Sequence, residues 1–192
     1  MDATGPPAIS QLLAAWREGD HESLKVLVPL LYDDLRRIAQ QNLRRARPDH
    51  TLQTTALVNE TYVRLQKQHA PQFQNREHFV GVCALLMRQI LTRYERTRRA
   101  AKRGGGDLTV TFDDAGLSAK ARAVDLIALD DALSGLARLD PQLSQIVELR
   151  FFGGLSIEET AELLELSATT IKRHWATARV WLHREMSREA RA

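Results

Sequence analysis

Residues 154–184 read GLSIEETAELLELSATTIKRHWATARVWLHR. Ser156, followed by Glu158 and Glu159, has the form of a capping box: the hydroxyl takes an amide near Glu159 while Glu159 reaches back, so a helix starts at Ile157. Ile157, Ala161 and Leu164 fall at i, i+4 and i+7, which predicts one buried stripe with Glu158, Glu159, Glu162 and Glu165 turned to water. Ser167 is placed to cap a second helix, with Ile171, Trp175, Ala178 and Leu182 as its apolar face. Lys172, Arg173, Ala176, Thr177 and Val180 fall on the other side or its flanks. A surface so positive and so poor in carboxylates suits phosphates and base edges. Amphipathicity alone would equally describe an αα-hairpin inside a bundle. The short joint at 164–167, the acidic first helix, and Thr169, Thr170, Lys172 and Arg173 at the leading end of the second favour a helix-turn-helix with a recognition helix.

Around this pair lies a chain of 192 residues, 44% hydrophobic and 27% charged, the composition of an ordinary globular protein with one large or two small domains. The net charge of +3 conceals an asymmetry. Residues 1–103 carry 17 Lys/Arg against 10 Asp/Glu, residues 104–167 carry 4 against 12, and residues 168–192 carry 6 against 2. Two basic segments flanking an acidic one predict two nucleic-acid contacts. They also predict an acidic segment able to fold back on either, with Asp107, Asp113, Asp114 and Asp125 as pairing acids. The single cysteine, Cys83, lies in an apolar run and reads as a buried residue of a reducing compartment. No signal pattern and no apolar run near the roughly 20 residues of a membrane span is present, which predicts a cytoplasmic protein with no membrane partner. The six histidines are scattered without metal-ligand spacing, and no nucleophile elbow, P-loop or nucleotide fingerprint occurs. The expectation is a non-enzyme without metal or cofactor.

Upstream, Ser10 is placed to cap a first helix and Asp20 a second, which Pro29 should kink or divide. A third helical pattern covers 53–68, where apolar positions alternate with Asn59, Glu60 and Arg64. That pattern suits a bundle helix or a coiled-coil partner bearing both charge signs. A polar loop at 69–78 precedes a helix from about Glu77 to Ala101. Its first half is apolar nearly all round; its second is basic, net +6 over 88–103. Such a run is commonly a solvated face, but one this one-sided is costly by self-repulsion unless a polyanion meets it. Gly104 to Gly106 open a linker in which LTVTF (108–112) reads as extended chain. Asp125 or a neighbour then starts a helix through Leu126, Leu129, Leu133 and Leu136. Asp140-Pro141 starts another, burying Leu143, Ile146, Val147 and Phe151 and closed by Gly153-Gly154.

The run LDPQLSQIVELRFFGGLSIEETAELLELSATTIKRHWATARVWL, from Leu139, resembles the promoter-reading domain of sigma-70 family factors, particularly small two-domain factors of the extracytoplasmic-function type. The resemblance extends over most of the chain. It implies an all-α protein of two small helical domains joined by a flexible linker, the C-terminal one a helix-turn-helix: 8–103 for core polymerase and the −10 element, 104–125 as linker, 126–188 for the −35 element. Leu57, Val58, Asn59, Glu60, Tyr62, Val63 and Arg64 resemble the family's core-polymerase-binding helix, with Asn59 where glutamine is usual. Arg88, Gln89, Arg93, Tyr94, Arg96, Arg98 and Arg99 lie on the segment resembling the −10 helix, with Arg93-Tyr94 where an Asp-His pair is common. Phe73, Asn75 and Tyr94 are the candidates to stack or pocket an extruded base. In the −35 docking mode Thr169, Thr170, Lys172, Arg173, Ala176 and Thr177 lead into the major groove, while Arg179 and Arg184 hold phosphate. Glu165 stands where the family usually has the turn glycine, and His174 where an acid is frequent. The implied partners are core RNA polymerase and promoter DNA, with an anti-sigma protein as an open third. A helix-turn-helix regulator acting without polymerase, or a helical adaptor whose basic helices meet acidic proteins, remains an alternative reading.

Overall fold

The computed structural model describes residues 8–46, 52–67, 75–101 and 125–189, and every regular element among them is helical. Helix α1 (Ile9–Arg17) begins one residue before Ser10, with Ala8 at the N-cap and the Gln11 side chain accepting the Ala8 amide. Asp20 caps as expected by accepting the Glu22 amide at 3.0 Å, just ahead of α2 (Glu22–Leu30). Pro29 divides the helix rather than kinking it: α3 (Tyr32–Arg45) restarts after Leu31. Then follow α4 (Thr54–Lys67) and the long α5 (Arg76–Ala101). Phe79, Cys83, Met87 and Leu91, spaced by four on α5, are fully buried beside Trp16, Leu27, Ile38 and Leu57. Each such side chain contributes roughly 1.5–3 kcal/mol, so α5 is the spine of this group.

The C-terminal helices are cut by their caps. Asp125 accepts the amides of Ile127 and Ala128 to start α6 (Leu126–Leu139), and Asp140 with Pro141 at N1 starts α7 (Pro141–Val147). Residues Glu148–Phe152 then form a π-helical turn. That wider turn corrects the expected core residue: the position below Val147 is filled by Phe152, which is buried, and Phe151 is only half-buried. Helix α8 (Ile157–Leu163) has the full capping box, Ser156 Oγ accepting the Glu159 amide at 3.0 Å and Glu159 Oε2 the Ser156 amide at 2.7 Å. Its buried face is rotated from the expected stripe to Thr160, Ala161 and Leu163, with Ile157 and Leu164 half-buried. Thr160 can go inside because its hydroxyl donates to the Ser156 carbonyl at 2.7 Å. Helix α9 (Ala168–Glu189) closes the chain against α6, α7 and α8.

The two groups of helices are in contact. α5 lies against the π turn and α6, and more lightly against α8. Residues 104–124 of the expected linker, LTVTF included, lie outside the described residues; Asp125 belongs to the cap of α6.

Candidate nucleic-acid and polymerase interface

The recognition helix is sorted cleanly. Ser167 Oγ accepts the Thr170 amide at 3.1 Å, and Ile171, Trp175, Ala178, Leu182 and also Met186 are buried. Thr169, Lys172, Arg173, Ala176 and Thr177 are exposed together on the opposite side, with Thr170 half-buried. Val180, 72% exposed, extends that face as a bare apolar contact between the cations. The side chain of Arg179 stays nearer the protein, half-buried, with its guanidinium 6.0 Å from the centre of the Trp175 ring; Arg184 is exposed. The turn that holds the pair at its angle is a Schellman motif: the Leu166 amide bonds the Ala161 carbonyl at 2.9 Å and the Glu165 amide the Glu162 carbonyl at 3.3 Å. Glu165 itself takes the left-handed conformation, φ 54°, in a turn that has no glycine to adopt it.

On α4 the seven predicted positions separate into two kinds. Leu57 is buried and cannot be a surface contact as expected, because helical spacing turns it into the bundle, while Val58, nearly as buried, borders an open groove. Leu57 is core outright. Asn59, Glu60 and Val63 are exposed, Tyr62 and Arg64 half-exposed, and Arg64 Nε lies 3.5 Å from Glu60 one turn back. An open apolar groove of about 450 Å³ runs beside them, lined by Val28, Pro29, Tyr32, Val58, Asn59 and Tyr62. Sequence reading overlooked its α2 side, although the exposed Val26 and Leu30 flanking Pro29 were a usable signal.

On α5 the basic candidates also divide. Gln89 and Arg93 are exposed and Tyr94 half-exposed. Arg98 pairs with the buried Glu95 at 3.1 Å. Arg96, half-exposed, reaches Asp131 at 2.7 Å and Asp130 at 3.3 Å across the boundary between the two groups. Arg88 departs most from expectation: only 7% exposed, it bonds Asp130 and, at 3.0 Å, Glu148, with its guanidinium over the Phe152 ring. Asn75 is occupied as the cap of α5, its carbonyl oxygen accepting the His78 amide at 2.8 Å. Phe73 and the Arg99 side chain lie outside the described residues. Burial pushes the Cys83 thiol well above its ordinary range, so it is inert packing. Among the described residues no helix is long and apolar enough to cross a membrane, and no cluster of acids, histidines and cysteine could hold a metal.

No curated protein sequence matches the chain. Among solved structures it is similar to a chain from the co-crystal structure of the sigma factor RpoE in complex with the anti-sigma factor NepR from Bartonella quintana, at 18% identity over 83% of this chain and 95% of that one, with a TM-score of 0.37. The family model described as ECF sigma factor matches residues 6–188. That match spans the basic helix, the acidic middle and the helix-turn-helix alike, and the chain therefore belongs to the ECF sigma factor family, DNA-binding factors of transcription initiation that work with RNA polymerase.

Proposed function

We propose that this sigma factor uses residues 8–103 to bind core RNA polymerase and the −10 element and residues 126–188 to bind the −35 element, with 104–125 as the tether. The exposed side of α4, Asn59, Glu60, Tyr62, Val63 and Arg64, with the groove beside it, is the polymerase surface. Gln89, Arg93, Tyr94, Arg96 and Arg98 are the −10 side of α5, where Tyr94 is the aromatic available to an extruded base. The nucleotidyl transfer itself belongs to polymerase; this chain supplies recognition and strand separation, in the cytoplasm.

The observation that carries the reading is the sorting of α9. Five groove-facing positions, Thr169, Lys172, Arg173, Ala176 and Thr177, are exposed in one patch without an acidic neighbour among them, over a face anchored by Trp175 and Leu182. A helix that only completed a bundle has no need of that pattern. Promoter-specific run-off transcription by purified core polymerase, with and without the protein, tests it. Transcripts that do not depend on the protein at any promoter would refute the assignment.

A further inference from the structure

The boundary between the N-terminal and C-terminal helices is a shaped contact. Gly81 on α5 is where Leu149 of the π turn inserts: a Cβ at position 81 would come within 2.5 Å of Leu149 Cδ2. Beside it the π turn exposes its carbonyls to α3, so that Asn42 donates to the Phe152 oxygen at 3.4 Å and Arg45 to that of Phe151, with its guanidinium 4.3 Å from the Phe151 ring centre. Arg88 then spans the boundary to Asp130 and Glu148, and Arg96 to Asp130 and Asp131. A buried cation is tolerated only where its partners are in place, so Arg88 makes the closed arrangement specific.

Scale makes this arrangement incompatible with a whole promoter. A compact chain of this length has a radius of gyration of roughly 16 Å and is about 40 Å across. The −10 and −35 elements, by their names some 25 base pairs apart, are separated by roughly 85 Å at about 3.4 Å per pair. Arg88 and Arg96, taken up by carboxylates, are also withheld from phosphate.

We infer that the contact of α5 with α6 and the π turn is an autoinhibitory latch, built on Arg88 with Asp130 and Glu148 and on Leu149 in the Gly81 notch, which holds the free factor shut until a partner opens it. The inference rests on the reading of α5 and α9 as the two promoter-facing helices. Opening exchanges Asp130 and Asp131 for phosphates at the same two arginines, and any partner that binds only the separated helices supplies the shift by its differential affinity.

Two variants of the full chain test it by different means. Asp130→Ala with Asp131→Ala removes carboxylates from the latch. Gly81→Leu fills the notch, changes no charge and raises the helix propensity of α5, and circular dichroism verifies that its helix content is kept. With core polymerase absent, both should enlarge the radius of gyration in small-angle scattering and tighten binding to a promoter duplex about tenfold. A wild-type protein that is already extended overturns the latch. So does a gain of affinity confined to the aspartate variant, which would report only weakened charge repulsion, and so does an expanded Gly81→Leu that gains no affinity. Core-dependent transcription by the wild type is measured alongside: its absence would refute the promoter reading, while the scattering arm still decides whether the closed state exists.

Discussion

Glu165 holds the left-handed position of the turn between α8 and α9, φ 54°, a conformation that costs an L-residue roughly 1–2 kcal/mol. At the end of α1 the same hydrogen-bond pattern is made with Gly19, φ 98°, where no such cost arises. Glycine at 165 would relieve the strain and give back part of the gain as chain entropy, so Glu165→Gly should stabilise the protein by up to about 1 kcal/mol, and the β-branched Glu165→Val should lower stability by a similar amount. Urea denaturation followed by circular dichroism measures both; a glycine variant less stable than wild type would show that the Glu165 side chain has a structural role. The turn was legible in sequence because Ser156 and Ser167 cap the starts of the two helices it joins. Its conformation was not, since the residue type that normally announces it is missing. In the same way, Phe151 and Phe152 are both plausible core residues by composition, and only the π turn, which no local propensity reveals, selects Phe152.

At the scale of the elements, helix limits were readable wherever a side chain makes the boundary: Asp140-Pro141, Asp125, and Pro29 dividing α2 from α3. Faces were less readable where a helix is covered on several sides. On α4 the resemblance marked seven consecutive-looking positions, but packing allots Leu57 to the core and Asn59 to solvent. The two should behave oppositely. Leu57→Ala should cost about 2–5 kcal/mol of folding stability, whereas Asn59→Ala, Glu60→Ala and Arg64→Ala should leave the unfolding midpoint within about 0.5 kcal/mol of wild type while weakening capture of core polymerase. Pull-down with core that ignores all three surface changes would remove α4 as the polymerase surface. On α9 the burial of Trp175 and Leu182 fixes which side faces outward, so Arg173→Ala should cost about 1–3 kcal/mol of −35 affinity and relax preference at one base position. Binding to a library of randomised duplexes separates this from a phosphate contact, whose loss weakens every sequence alike.

At the scale of the whole molecule, the alternation of basic, acidic and basic segments foretold that acids would meet the α5 arginines, but not the ones seen to do so: of the four singled out, Asp107, Asp113 and Asp114 lie outside the described residues and Asp125 caps α6. Asp130, Asp131 and Glu148 meet them instead, from α6 and the π turn. Pairing across the boundary depends on tertiary placement, which charge counts do not contain. Two groups at that boundary titrate in opposite senses. Burial raises the pKa of Glu148 above its ordinary 4.5, the adjacent Arg88 opposing and Asp130 reinforcing the rise. Its contribution to the closed form is therefore full below that ordinary value and is lost as pH rises through the raised one. His78, at a cleft between α5 and the residues Gln145, Leu163, Leu164 and Glu165, is held below its ordinary 6.5 by burial. Its contribution is full above 6.5 and is lost as pH falls through the lowered value. Proton uptake by Glu148 also dissolves its ion pair with Arg88, so its effects on closure offset each other and His78 sets the pH response. As pH falls below 6.5 the wild type should expand as the His78 imidazole charges, and His78→Gln should not. Small-angle scattering of both proteins at about pH 7 and about pH 5 measures this, and a radius of gyration that changes equally in both would show that His78 does not report on closure.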